Sequence, residues 1–155
     1  MGPVTSVVTG SMLSITSPGA VWIHSASPED QTVAYIIFKD FTFAAAHSIS
    51  EHPGKCRHLH GHNYRVRVHL QAEELDELGM VTDFARLKEH VGEVAGRFDH
   101  RVLNDIPPFD ELSPTAELLA EHIYRGVAER LGDGRVGVSR VEVWETETSC
   151  AIFEL

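Results

Sequence analysis

The chain has 155 residues, enough for one domain with its own core, and an ordinary globular composition of 43% hydrophobic and 23% charged residues. A formal charge of −10 excludes a nucleic-acid backbone as the natural partner, and no apolar run is long enough to span a bilayer. The two cysteines, Cys56 and Cys150, are too few for a disulfide framework and point to a reducing, cytoplasmic setting.

Residues 1–33 are rich in Ser, Thr, Val, Gly and Pro and show no helical period. They read as an N-terminal extension, in part disordered, with at most a short strand over Ala20–His24. No Lys or Arg precedes Lys39, so the basic start of a signal peptide is missing. Residues 34–155 read as a single domain. From Val33 to His47 the chain is dense in β-branched and aromatic residues, and Phe41, Phe43, Ala45 and His47 share one face at period two. A loop over Ser48–Leu59, marked by Pro53-Gly54, leads to a second strand, His60–Gln71. Its His60, His62, Tyr64, Val66, Val68 and Leu70 share one face; Asn63, Arg65, Arg67 and His69 share the other. The pair reads as a long antiparallel hairpin.

Thr82-Asp83 then offers an N-cap, and Phe84, Leu87, Val91, Val94 and Phe98 mark an amphipathic helix to about Arg97. Pro107-Pro108 breaks the chain. Ser113 as N-cap with Pro114 at the first helical position opens a second helix through Leu119, Ile123, Val127 and Leu131, closed by Gly132 and Gly134. Arg135–Glu145 alternates as a strand, with Cys150–Leu155 as its hairpin partner. The order ββ-α-α-ββ predicts an α+β fold: a four-stranded antiparallel sheet with both helices on one face.

The chemistry concentrates in Cys56–His62, where three histidines and a cysteine fall within seven residues. His60 and His62 leave a strand on the same side, and the hairpin brings His47 beside them. Three imidazoles with no fourth protein ligand is the arrangement of a catalytic zinc, which keeps one position open. An HxH pair alone is common without metal. Here six of the ten histidines lie between residues 47 and 69, and three share an inward face, which favours the metal. His52 and His58 are off the period and read as loop residues, and His69 reads as surface. Gly61 leaves room for a substrate or a loop to approach the backbone. Cys56 near a cation acts as a thiolate, either as a fourth ligand of a closed site or as a base beside an open one. Spacing leaves both open. Cys150 reads as a small buried filler. Asp99-His100, at the end of the first helix, fits an acid–base pair and fits equally a histidine favoured by the helix dipole. Residues 1–70 carry five of the 13 Lys/Arg and four of the 23 Asp/Glu, so a small anion is tolerated near this cluster. Lys39, Lys55 and Arg57 are candidates for it by charge alone.

Taken in order, Phe38-Lys39-Asp40-Phe41-Thr42-Phe43, Ala46-His47, Cys56-x-x-x-His60-Gly61-His62, Asp83-Phe84-x-x-Leu87-Lys88, Asp99-His100, Leu103-Asn104-Asp105, Pro114-Thr115-x-Glu117 and Glu145-Thr146 resemble the 6-pyruvoyl-tetrahydropterin synthase family. The three-residue gap between Cys56 and His60 resembles its bacterial branch, 6-carboxy-5,6,7,8-tetrahydropterin synthase. The match spans about Ile36 to Phe153. The resemblance implies the tunnelling fold, with subunits assembled into a homo-oligomeric barrel, a hexamer, and active sites between subunits. It implies zinc held by His47, His60 and His62, with Cys56 as the base and Asp99 and His100 as its catalytic partners. Glu145, with Glu117 and Thr115 nearby, would anchor a pterin triphosphate substrate. The branch commonly has Gly-Arg where this chain has Arg57-His58. Three other readings remain: the pyruvoyl-forming enzyme, an aldolase on dihydroneopterin phosphates, and a non-catalytic zinc- or pterin-binding protein.

Overall fold

A computed structural model of the chain describes residues 34–131 and 134–155. The readings for residues 1–33 and for Gly132 lie outside the described residues. The first hairpin pairs β1 (Tyr35–His47) with β2 (His60–Ala72) without a bulge, from Tyr35 opposite Ala72 to His47 opposite His60. Residues directly opposite in an antiparallel pair share a face. Period two in the sequence therefore becomes one buried stripe: Phe43, Ala45 and His47 against Tyr64, Val66, Val68 and Leu70.

After β2 come helix α1 (Phe84–Ala95), the two-residue strand β3 (Arg101–Val102), helix α2 (Ala116–Leu131) and the hairpin β4 (Gly137–Thr146) and β5 (Ser149–Glu154). Strand order is β3-β1-β2-β4-β5. The sheet thus has five strands, not four. Arg101 and Val102 run parallel to β1 opposite Ala45 and Ala46, and two residues are too few to leave a periodic signal in the sequence. Short 3-10 turns cover Lys55–Arg57, Gly96–Phe98 and Leu103–Asp105.

Asp83 caps α1, its side chain accepting the Ala85 N–H at 2.7 Å. Leu87, Val91, Val94 and Ala95 face the core, and Phe98 joins them from the 3-10 turn after the helix. Phe84 does not: at the first helical position it is half exposed. The second helix also starts differently from the reading above. Thr115, not Ser113, is its cap: the Thr115 hydroxyl accepts the Leu118 N–H at 3.3 Å and its carbonyl accepts the Leu119 N–H at 3.0 Å. Pro114 consequently stands just outside the helix, with its carbonyl free of the helical ladder.

Leu119, Ala120, Ile123 and Val127 of α2 and Val138, Val141 and Val143 of β4 complete one continuous core with the first hairpin. The helices meet closely at Gly126, where an added Cβ would lie 2.9 Å from a Val94 methyl. No described helix is long and apolar enough to cross a membrane.

The other sheet face carries stacked cations. The Arg65 guanidinium lies 3.9 Å from the Trp144 ring centre and that of Arg67 lies 4.0 Å from Phe38. Arg67 also grips Asp40 with two hydrogen bonds of 2.7 and 2.9 Å, which holds the Asp40 carboxyl below its usual range. His69 is on this face as expected but is not bare surface: it pairs with the buried Glu142 at 2.8 Å. Cys150 also corrects the reading. Opposite Trp144 on the edge strand β5, it is exposed rather than buried.

A candidate metal centre at the mouth of the first hairpin

The last register pair of the hairpin sets His47 directly opposite His60, and two pairs earlier Ala45 lies opposite His62. The three imidazoles converge, with ring centres 4.6, 5.2 and 5.0 Å apart and one potential ligand nitrogen from each within 4.8 Å of the others. Gly61 between two of them sits against the neighbouring strand: an added Cβ would come within 3.3 Å of the Ala45 carbonyl. The close approach expected at this glycine is thus made by β1 itself.

Two of the rings are fixed by backbone carbonyls. His47 Nδ1 lies 2.7 Å from the Pro114 carbonyl oxygen, and His60 Nδ1 lies 2.7 Å from that of His58. A carbonyl only accepts, so Nδ1 carries a proton in both rings, which in the neutral tautomer leaves the Nε2 lone pair for a ligand. This is the outer support that metal-ligating histidines usually have. The first of these bonds depends on the cap shift described above. Were Pro114 within α2, its carbonyl would be taken by the helix.

The residues fit a cation on independent grounds. His47 is 1% exposed, and the Nε2 atoms of both His47 and His62 are buried without a hydrogen-bond partner. Orphaned polar atoms in a packed interior are costly, and one cation between the three rings satisfies them together. Burial also lowers the pKa of His62; the charge of Glu145 opposes this, while His47 and His60 add to it. The neutral, ligating form of His62 is therefore favoured.

Glu145, at the end of β4, places Oε1 3.8 Å from His47 Nε2. On its other side it lines a recess of about 320 Å³ with Ile49, Thr115, Glu117 and Cys150. The three residues expected to share a ligand, Glu145, Glu117 and Thr115, thus border one cavity. Cys56 sits half-buried in a 3-10 turn between the exposed Lys55 and Arg57, and its carbonyl accepts the Ile49 N–H at 2.8 Å. That bond ties the cysteine turn to the same recess. Lys39, opposite Val68 and eight residues before His47, lies well along the hairpin from this turn.

Asp99 and His100 lie at the outer edge of β1, where His100 borders a cavity of about 460 Å³ with Gly61 and His62. They follow the turn after α1 rather than ending the helix, and they clamp the outer edge of β1. Asp99 accepts the Ala44 N–H at 2.9 Å, and the His100 N–H donates to the Ala44 carbonyl at 2.6 Å. The His100 ring then meets Asp99 at 2.9 Å, a geometry reached with φ at +57°. Hydrogen bonding from Ala44 and then from His100 holds the Asp99 carboxyl below its usual range. His100 is 83% exposed, and among the described residues no hydrogen bond or ion pair connects this pair with the Cys56 thiol.

Two supports carry no role in the sequence reading. Asn104 brackets the residue after His47: its side chain accepts the Ser48 N–H at 2.9 Å and donates to the Ser48 carbonyl at 3.0 Å. The motif Leu103-Asn104-Asp105 was its visible signal. The other is Tyr64, which the strand period marks only as core.

A mainly antiparallel sheet with two helices on one face, and three histidines at a hairpin mouth that could hold a metal ion, define an α+β protein with a candidate metal centre. The chain belongs to the 6-pyruvoyl tetrahydropterin synthase family, whose model matches residues 36–155, and has the tunnelling fold. It is 43% identical over 124 residues to the 6-carboxy-5,6,7,8-tetrahydropterin synthase of Synechocystis sp., covering 77% of this chain and 92% of that one. The enzyme of the same name from Bacillus subtilis is 37% identical over 122 residues, covering 74% and 82%. Among solved structures, 6-pyruvoyl tetrahydropterin synthase from Caenorhabditis elegans superposes with a TM-score of 0.71 at 27% identity, over 80% of this chain and 97% of that one.

Proposed function

We propose that this protein is a zinc-dependent, cytoplasmic lyase acting on 7,8-dihydroneopterin triphosphate. With uptake of one water, the substrate yields 6-carboxy-5,6,7,8-tetrahydropterin, acetaldehyde and triphosphate. The product suits the synthesis of 7-deazapurines, for queuosine in tRNA or for deazapurine natural products. The observation that carries the reading is the three-histidine cluster opening beside Glu145 and its recess. The carboxy-forming relatives add the choice of product.

His47, His60 and His62 hold the zinc, which supplies Lewis acidity to the hydroxyls of the substrate side chain. The Glu145 carboxylate accepts the adjacent amino and ring N–H groups of the pterin, with Thr115 and Glu117 beside it. Cys56, as thiolate, takes a proton from the side chain, and His100, oriented by Asp99, returns one. Among the described residues no hydrogen bond or ion pair joins Cys56 to His100, and in this reading a second copy completes the site in a homo-oligomer, a hexamer.

The test is a product assay by mass spectrometry on the zinc-loaded protein, with Cys56→Ala in parallel. Carboxytetrahydropterin and acetaldehyde, lost in Cys56→Ala with zinc content retained, support the proposal. A pyruvoyl product moves the chain to the sister activity. Zinc and pterin bound without turnover sinks the mechanism.

A further inference from the structure

Tyr64 is 1% exposed, and its hydroxyl is buried with no hydrogen-bond partner among the described residues. The molecule satisfies its other deeply placed phenol: the Tyr124 hydroxyl donates to the Val138 carbonyl at 2.7 Å. The Tyr64 ring lies 5.5 Å from that of His62 and 6.0 Å from that of His47, edge-on to both, and stacks on Phe43 at 5.0 Å. Three orphaned buried groups thus gather at this place: His47 Nε2, His62 Nε2 and the Tyr64 hydroxyl. A cation accounts for the two imidazoles, which offer lone pairs. It does not account for the phenol, which offers a proton and needs an acceptor.

We propose that the Tyr64 hydroxyl is a hydrogen-bond donor reserved for an oxygen ligand seated against the three histidines, making Tyr64 a specificity-determining residue for oxygen donors. The stacking on Phe43 and the two imidazole edges fix the ring, so the hydroxyl has little freedom to find another partner. A preorganised donor in a dry site favours a ligand that accepts its proton over one that cannot. This rests on the metal-centre reading above.

The test uses the full chain, wild type and Tyr64→Phe, stripped of metal and reloaded with Co(II), whose visible spectrum reports its ligands. Acetate is the oxygen-donor probe. The expected result is equal Co(II) affinity, an unchanged melting temperature of the metal-free proteins, and acetate binding weakened about tenfold in Tyr64→Phe. Equal acetate affinity in both proteins overturns the inference. So does a loss of Co(II) affinity in the variant, which makes Tyr64 a brace for the histidines. A lower melting temperature of metal-free Tyr64→Phe also overturns it, since the hydroxyl then has a partner inside the protein. Failure of the wild type to bind Co(II) overturns the metal-centre reading itself.

Discussion

The histidines of this chain divide by what their surroundings ask of them. His47, His60 and His62 converge with ligand nitrogens facing one another, whereas His122 is half-buried between aromatic rings, lying 5.7 Å ring to ring from both Phe98 and Phe109. Burial lowers its pKa, and Arg97 adds to the effect. The unfolded chain accepts a proton on this residue below about pH 6.5, while the folded chain resists. The contribution is therefore complete above the unfolded value and is lost as pH falls toward and through the lowered folded value. Metal-free protein should thus lose less stability between pH 7 and pH 5 when His122 is replaced by Phe, measured by denaturant unfolding at each pH. A slope equal to that of the wild type removes His122 from the account. Little of this distinction was visible in the sequence. Period two placed His47, His60 and His62 together because strand geometry is local. His122 sits on a helix whose neighbours arrive from elsewhere: Phe98 from the 3-10 turn after α1, Phe109 from the turn before α2.

At the level of elements, the start of α2 couples helix stability to the metal centre. Capping by Thr115 leaves the Pro114 carbonyl outside the helix, where His47 Nδ1 donates to it. Thr115→Ala should cost about 1 kcal/mol of stability and also weaken metal affinity, while Thr115→Ser should restore both. Thermal unfolding and metal titration of the two variants check this, and a stability loss with intact metal affinity would separate cap from ligand. Ser113-Pro114 looked like the cap because serine followed by proline is a strong local signal. The actual cap was chosen by a bond from 67 residues away, which a reading of adjacent residues does not contain. The same limit hid β3, whose two residues are a strand only because β1 lies beside them, and the pairing of His69 with Glu142, 73 residues apart. By contrast, the hairpins and both helices were legible, since their buried residues repeat at the period of the element itself.

For the molecule as a whole, the open side of β1 is the prominent feature. Among the described residues β3 covers it only at Ala45 and Ala46, and Tyr35, Ile36 and Phe38 are about half exposed. An uncovered, apolar strand edge favours pairing with another chain. Ile36→Lys should lower the mass measured by light scattering toward the 17.2 kDa of a single chain and abolish turnover, with metal content preserved. A variant that is monomeric and fully active would remove any need for a second copy. The first hairpin also sets an order in time. All three imidazoles lie between residues 47 and 62, so a ribosome has made every candidate ligand nitrogen well before it reaches Glu145. A nascent chain can therefore present all three histidines of the candidate metal centre while the acidic wall of the recess has yet to be synthesised.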